Sequence, residues 1–237
     1  MPVFDHIPVD LSEETIAHAL RLDRREGGKE IGRDLRREAI SLLEPRAFYR
    51  MAFIEKKAAE EVRIENRIFR SRVLRVNLEK AEKVFAFIVT VGGALEKHAA
   101  SAGDLLDQYY LENLADLALQ EAADYLNLHL RDRFGFKNLS RMSPGSLPDW
   151  PISEQVPLFD LLGDVESKIG VRLTDSLLML PRKSISGILY PSEESFFSCC
   201  LCPRKDCVGR QTPYDPDLRK EYEVGPPPGC KNQGSGI

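Results

Sequence analysis

Helical spacing of apolar residues dominates the opening of the chain. Asp10-Leu-Ser12-Glu-Glu-Thr supplies capping side chains, and Leu11, Ile16, Ala19 and Leu20 follow at helical spacing. A second helix, roughly from Glu30 to Leu43, sets Ile31, Leu35, Ala39 and Leu42 or Leu43 along one stripe, and Pro45 ends it. Between Ala47 and Val91 the pattern turns to β. Phe48, Met51, Phe53 and Ile54 suggest a first strand. Val62-Arg-Ile64, Ile68-Phe69 and Val73-Leu74 with Val76 predict short strands joined by polar turns. The run Lys83–Val91 is apolar at nearly every position, as a central strand buried on both faces requires. It ends at Gly92-Gly93, a junction suited either to a plain tight turn or to an anion held on free backbone N–H groups before the helix that starts at Ala94.

Asp104 to Phe134 is the longest helical segment. Leu106, Tyr110, Leu114, Leu117, Glu121 and Leu128 fall near one stripe, with Ala118, Ala122 and Tyr125 beside it. Asp116, Gln120 and Asp124 are spaced i, i+4, i+8 and form one polar ridge, either a wet surface or a row of acceptors for a ligand. A loop with Arg141, Pro144 and Gly145 follows, then a short helix from Ser153 to Leu162 with Pro157 in its first turn. Val171–Leu173, Leu177–Leu180 and Ile185–Tyr190 predict further short strands, and Ser184-Ile-Ser186-Gly187 reads as a strand edge. Helical and short strand periods thus alternate along the chain, with no internal repeat. From Pro213 the chain becomes polar and proline-rich, and residues 225–237 read as a flexible tail.

Composition narrows the function classes. Apolar residues at 43% and charged residues at 30% describe an ordinary globular protein, and a net charge of −4 with interspersed Lys and Arg gives no reason to expect nucleic acid. No apolar run approaches the ~20 residues of a membrane span. Met1-Pro-Val-Phe-Asp-His lacks the basic start and apolar core of a secretory leader, so a cytoplasmic setting is expected. His98 and His129 lack ligand-spaced partners and read as surface or core side chains. Dinucleotide, phosphate-loop, His-Glu-x-x-His and nucleophile-elbow signatures are all missing from the sequence, so side-chain nucleophilic chemistry has no support.

All five cysteines lie beyond residue 198, a crowding that favours a metal site, a redox centre or reactive thiols over a disulfide framework. Cys199-x-x-Cys202-x4-Cys207 has thiolate-ligand spacing, with Cys200 or Cys230 as a fourth sulfur for zinc or an iron–sulfur cluster. Arg141 beside Gly145 offers a guanidinium fork for a carboxylate where backbone can come close.

In order along the chain, Arg141-Met-Ser-Pro144-Gly145-Ser146, Leu173-Thr-Asp175-Ser176, Pro181-Arg-Lys-Ser184-Ile-Ser186-Gly187 and Phe196-Phe197 resemble the Arg-x-x-x-Gly-Tyr, Leu-Thr-Glu-Ser, Pro-x-x-Ser-Val-Ser-Gly and aromatic-pair elements of the activation (reactivation) domain of cobalamin-dependent methionine synthase, in its free-standing form. The resemblance spans roughly Gln120 to Phe197 and implies an α+β fold, a twisted, mainly antiparallel sheet flanked by helices, in a single domain over residues 1–224. It implies an S-adenosylmethionine-binding accessory protein for the reductive methylation of a cob(II)alamin-dependent methyltransferase in trans. The implied partners are a corrinoid-carrying methyltransferase such as methionine synthase and a low-potential electron donor. By the same resemblance Arg141 would hold the ligand carboxylate, Pro144, Gly145 and Ser146 would form the loop against it, and Phe196 and Phe197 would line the site. Gln120 stands where the family has a carboxylate, with Glu121 adjacent, and Ser146 stands where it has tyrosine. The cysteines, with Cys199, Cys202, Cys207 and Cys230 as the ligand set, are an addition that would carry an electron or brace the C-terminal segment. Two other readings are an electron-transfer activator of corrinoid proteins and a ligand-sensing module without chemistry.

Overall fold

The protein is described by a computed structural model over residues 2–207 and 210–222. Its centre is a seven-stranded sheet in which every pairing is antiparallel. The strands are β1 (Val3–Phe4), β2 (Arg46–Lys57), β3 (Glu61–Ile64), β4 (Arg67–Arg70), β5 (Lys83–Thr90), β6 (Leu139–Met142) and β9 (Ser184–Pro191). Their spatial order is β4-β3-β2-β5-β9-β6, with β1 paired to β2. A separate ribbon joins β7 (Arg172–Leu173) to β8 (Met179–Leu180). The expected mainly antiparallel α+β sheet flanked by helices is the one observed.

Strand alternation on β5 accounts for the two faces. Phe85, Phe87 and Val89 enter one core, and Val84, Ala86 and Ile88 enter the other. The first core is closed by α1 (Glu13–Ala19), α2 (Gly28–Leu42), α4 (Ala94–Ala100) and the thirty-residue α5 (Leu105–Phe134). The second is closed by α3 (Arg72–Asn77), α6 (Gln155–Leu162) and α7 (Val165–Ile169) around the fully buried Trp150. The sheet is therefore the middle of three layers.

Local chemistry sets the helix ends. Ser12 Oγ accepts from Thr15 N–H, and Asp104 accepts from Leu106 N–H at the start of α5, which Gly135 closes in the left-handed region. Glu65 and Asn66 both take positive φ in the tight turn between β3 and β4.

Three expectations are corrected, and one helix is added. The segment around Val73–Val76 is helix α3 rather than a strand, because Ser71 caps it and its side chain accepts from Leu74 N–H. Arg141 lies on strand β6 rather than in a loop. Ser184–Gly187 belongs to β9, an interior strand between β5 and β6, not to an edge. The polar stretch after Pro213 contains helix α8 (Pro216–Glu221), with Asp215 as its cap. The tail assigned to 225–237 lies outside the described residues. Among the described residues no helix is long and apolar enough to cross a membrane.

Candidate functional site

A cleft of about 470 Å³ opens between α5, the edge strand β6 and the segment from Ser195 to Cys199. Its floor is apolar, from Phe87, Leu139 and Leu189. One wall is a face of α5, where Gln120, Asp124, Asn127 and Arg131 stand at successive turns. Arg141 faces them from β6, and Phe196 and Phe197 stand on the third side.

The strand places Arg141. In the ladder with β9 it lies opposite Leu189, and Leu139 lies opposite Pro191. Leu139 and Arg141 share the sheet face covered by α5, while Ser140 and Met142 alternate to the other. Burial lowers the Arg141 pKa, and the Asp124 carboxylate acts in the opposite direction. No ion pair or side-chain hydrogen bond forms between Arg141 and any described residue. A desolvated guanidinium without a bonded anion is a strong receptor for a carboxylate.

Around it the polar groups are partly committed. Gln120 Nε2 donates to Asp124 Oδ1 at 2.8 Å, and Asn127 Nδ2 donates to the Leu139 carbonyl at 3.2 Å. Asp124 is the one carboxylate among the lining residues, so an ammonium group brought into the cleft finds its counter-charge there. Arg131 buries its Nε without a hydrogen-bond partner. Asp116, the first member of the predicted polar ridge, is occupied by Lys183 Nζ at 2.7 Å and does not line the cleft.

Of the residues singled out in the sequence, the structure brings Gln120, Asp124, Arg141, Ser146, Phe196, Phe197 and Cys199 to this one cleft. Glu121 is directed elsewhere: its Oε2 accepts from the backbone of Asp10 and Leu11, tying the N-terminal segment to α5. Pro144 is buried and Gly145 exposed, and neither lines the cleft. Gly145 takes φ of 83° and gives its N–H to the Trp150 carbonyl at 2.7 Å, so its task is the turn that carries Ser146. Ser146 Oγ donates to the Ser143 carbonyl at 2.6 Å and lies 3.4 Å from Ser198 Oγ. The aromatic wall comes instead from Phe196, whose ring stacks on Tyr222 at 5.8 Å and whose N–H is held by Ser140 Oγ at 2.8 Å.

Sequence reasoning missed Asn127, Arg131, Ser140 and Ser195. The first two continue the polar ridge from Gln120 and Asp124, and that signal was available. The others are ordinary serines made relevant only by the fold.

The remaining candidates resolve into structure. At Gly92-Gly93, the Gly92 N–H is taken by Thr90 Oγ1 and a Cβ at Gly92 would meet the Glu44 side chain at 2.9 Å. The junction is a tight turn beside a carboxylate, a poor place for an anion. His98 pairs with Glu38, and His129 packs its ring against Phe4. Cys199, Cys200, Cys202 and Cys207 are half-buried free thiols. Among the described residues no three His, Cys, Asp or Glu side chains gather as a metal set, so the predicted centre is not assembled there. Its fourth ligand, Cys230, lies outside the described residues.

The same fold occurs in the crystal structure of the MetH reactivation domain bound to AdoHcy, with a TM-score of 0.54 and 20% identity over 83% of each chain. The family model for the activation domain of vitamin B12 dependent methionine synthase matches residues 46–208, which include β6, α5 and the aromatic pair, and the chain belongs to that family.

Proposed function

We propose that the cleft binds S-adenosylmethionine and that the chain presents its methyl group to a corrinoid held by a methionine synthase-type methyltransferase, restoring a cofactor that has fallen to Co(II). The observation that carries this reading is Arg141: a desolvated guanidinium at the cleft wall with no bonded anion and a carboxylate, Asp124, across from it. That pair matches the two charges of an amino-acid end, a carboxylate for Arg141 and an ammonium for Asp124. Phe196 and Phe197 provide apolar and aromatic surface for the rest of the ligand and for a sulfonium, which aromatic faces attract.

The corrinoid supplies the nucleophile and an external donor supplies the electron. This chain's residues supply binding and orientation, so its catalytic contribution is proximity. The 237 residues contain no Asp-x-His-x-x-Gly corrinoid signature, so the corrinoid belongs to another chain or another domain, and action in trans is part of the proposal. The AdoHcy held by the structural relative, the product left when S-adenosylmethionine gives up its methyl group, is in keeping with this reading.

The test is a reactivation assay. A methionine synthase lacking its own activation domain, inactivated to cob(II)alamin, is mixed with this chain, a low-potential flavoprotein reductant and methyl-labelled S-adenosylmethionine. The expected result is label on the corrinoid and return of the methylcobalamin spectrum, both lost with Arg141→Ala. Transfer that is as fast without the chain as with it would contradict the proposal.

A further inference from the structure

We propose that Cys199 and Cys202 form a reversible disulfide that reshapes the cleft wall and weakens ligand binding, a regulation that rests on the ligand reading above. Residues Ser198–Leu201 form a 3-10 turn, and the Cys202 N–H donates to the Cys199 carbonyl at 3.2 Å. An i to i+3 bond of this kind keeps the two Cα atoms within ~7 Å. Disulfides span Cα separations of about 4.4–6.8 Å, so the turn holds the pair near bridging range, and closing it must swing the two side chains toward each other and shift the turn. Arg210 fixes both ends of the turn, its Nη1 donating to the Cys199 carbonyl at 3.1 Å and its Nη2 to the Cys202 carbonyl at 3.2 Å.

The neighbouring thiol is set apart from this chemistry. Cys200 gives its Sγ–H to the Phe197 carbonyl at 2.8 Å and packs toward the second core, and burial raises its pKa. Cys199 lines the cleft, while Cys202 packs against the second core. Joining them draws Cys199 away from the cleft and pulls on Phe197 and Ser198, its immediate neighbours in the wall. The step is thiol–disulfide exchange with a small disulfide such as oxidised glutathione. One thiolate attacks the glutathione sulfur and expels a glutathione thiolate; the second attacks the mixed disulfide and expels another. Two protein thiols are oxidised, and one glutathione disulfide is reduced to two thiols.

The experiment poises the full chain in reduced or oxidised glutathione, maps cysteine pairs by alkylation and peptide mass, and titrates each form with S-adenosylmethionine. The expected result is a Cys199–Cys202 disulfide, affinity lower by about tenfold, recovery with dithiothreitol, and a Cys202→Ser variant that binds like the reduced protein in either buffer. Pairing of Cys199 with Cys207, no disulfide, unchanged affinity, or a stoichiometric metal that shields the thiols would each overturn the proposal. If the reduced protein takes up no S-adenosylmethionine, the ligand reading fails. The switch is then decided by hydrogen exchange of residues 195–199, which it requires to change on oxidation.

Discussion

At Gly187 strand β9 passes so close to β6 that an added Cβ would sit 2.3 Å from the Met142 carbonyl oxygen. The Ser-Ile-Ser-Gly element therefore serves strand contact and thereby positions β6, one residue from Arg141. Gly187→Ala is expected to lower stability by about 3 kcal/mol, measured by urea unfolding, and to weaken ligand binding alongside; an unchanged midpoint would contradict this account of the motif. Gly145 is a milder case. Its φ of 83° strains any other residue, and a Cβ would meet Ile152 Cδ1 at 3.0 Å. Gly145→Ala should cost about 1–2 kcal/mol by the same measurement. The identity of both glycines was visible in the sequence, and so was Arg141 as a candidate ligand contact. What each glycine does was not, because close approach between strands is a property of pairing rather than of the residues in order.

Helix α8 shows how an element outside the family-matched segment bears on the site. Arg219 Nη1 donates to the Leu201 carbonyl at 2.7 Å, Asp215 N–H donates to the Cys200 carbonyl at 2.8 Å, and Tyr222 stacks on Phe196 while its hydroxyl donates to Asn77 Oδ1 at 2.9 Å. The helix braces the aromatic wall from behind. Tyr222→Ala is expected to weaken S-adenosylmethionine binding by about three- to tenfold, the worth of one aromatic pair, whereas Tyr222→Phe keeps the stack and most of the affinity. Calorimetry on the two variants checks this, and equal losses would argue against the stack. Proline and charge concealed α8 from pattern reading, as β-branched valines concealed α3; in both cases a capping side chain decided the outcome. The cap of α7 adds a pH dependence. Hydrogen bonds from Ser167 lower the Asp164 pKa below its ordinary 3.8. A depressed carboxylate stabilises above its ordinary pKa, and that contribution disappears as pH falls through the lowered value. The stability difference between wild type and Asp164→Ala should therefore be present at about pH 6 and shrink as the pH falls below the ordinary carboxylate range, as followed by urea midpoints; a pH-independent difference would refute the cap assignment.

In the whole molecule the cleft exists because three distant stretches meet at one sheet edge: α5, β6 and the segment after β9. Single helices and strands were legible from their periods, whereas the antiparallel α+β sheet was legible only through the family resemblance; β5 was recognisable as a central strand because every residue from Val84 to Val89 is apolar, and all six are buried. The separation of Glu121 from Gln120 was not legible. Adjacent residues on a helix point about 100° apart, and only the position of the N-terminal segment shows that Glu121 binds Asp10 and Leu11 while Gln120 faces the cleft. The central claim is that this cleft takes the amino-acid end of S-adenosylmethionine on Arg141, and calorimetric titration tests it most directly. Wild type should bind saturably at one site, Arg141→Ala should bind about 10- to 150-fold more weakly, and Arg141→Lys should fall between them. Absence of binding by wild type shown to be folded by circular dichroism, or undiminished binding by Arg141→Ala, would contradict it.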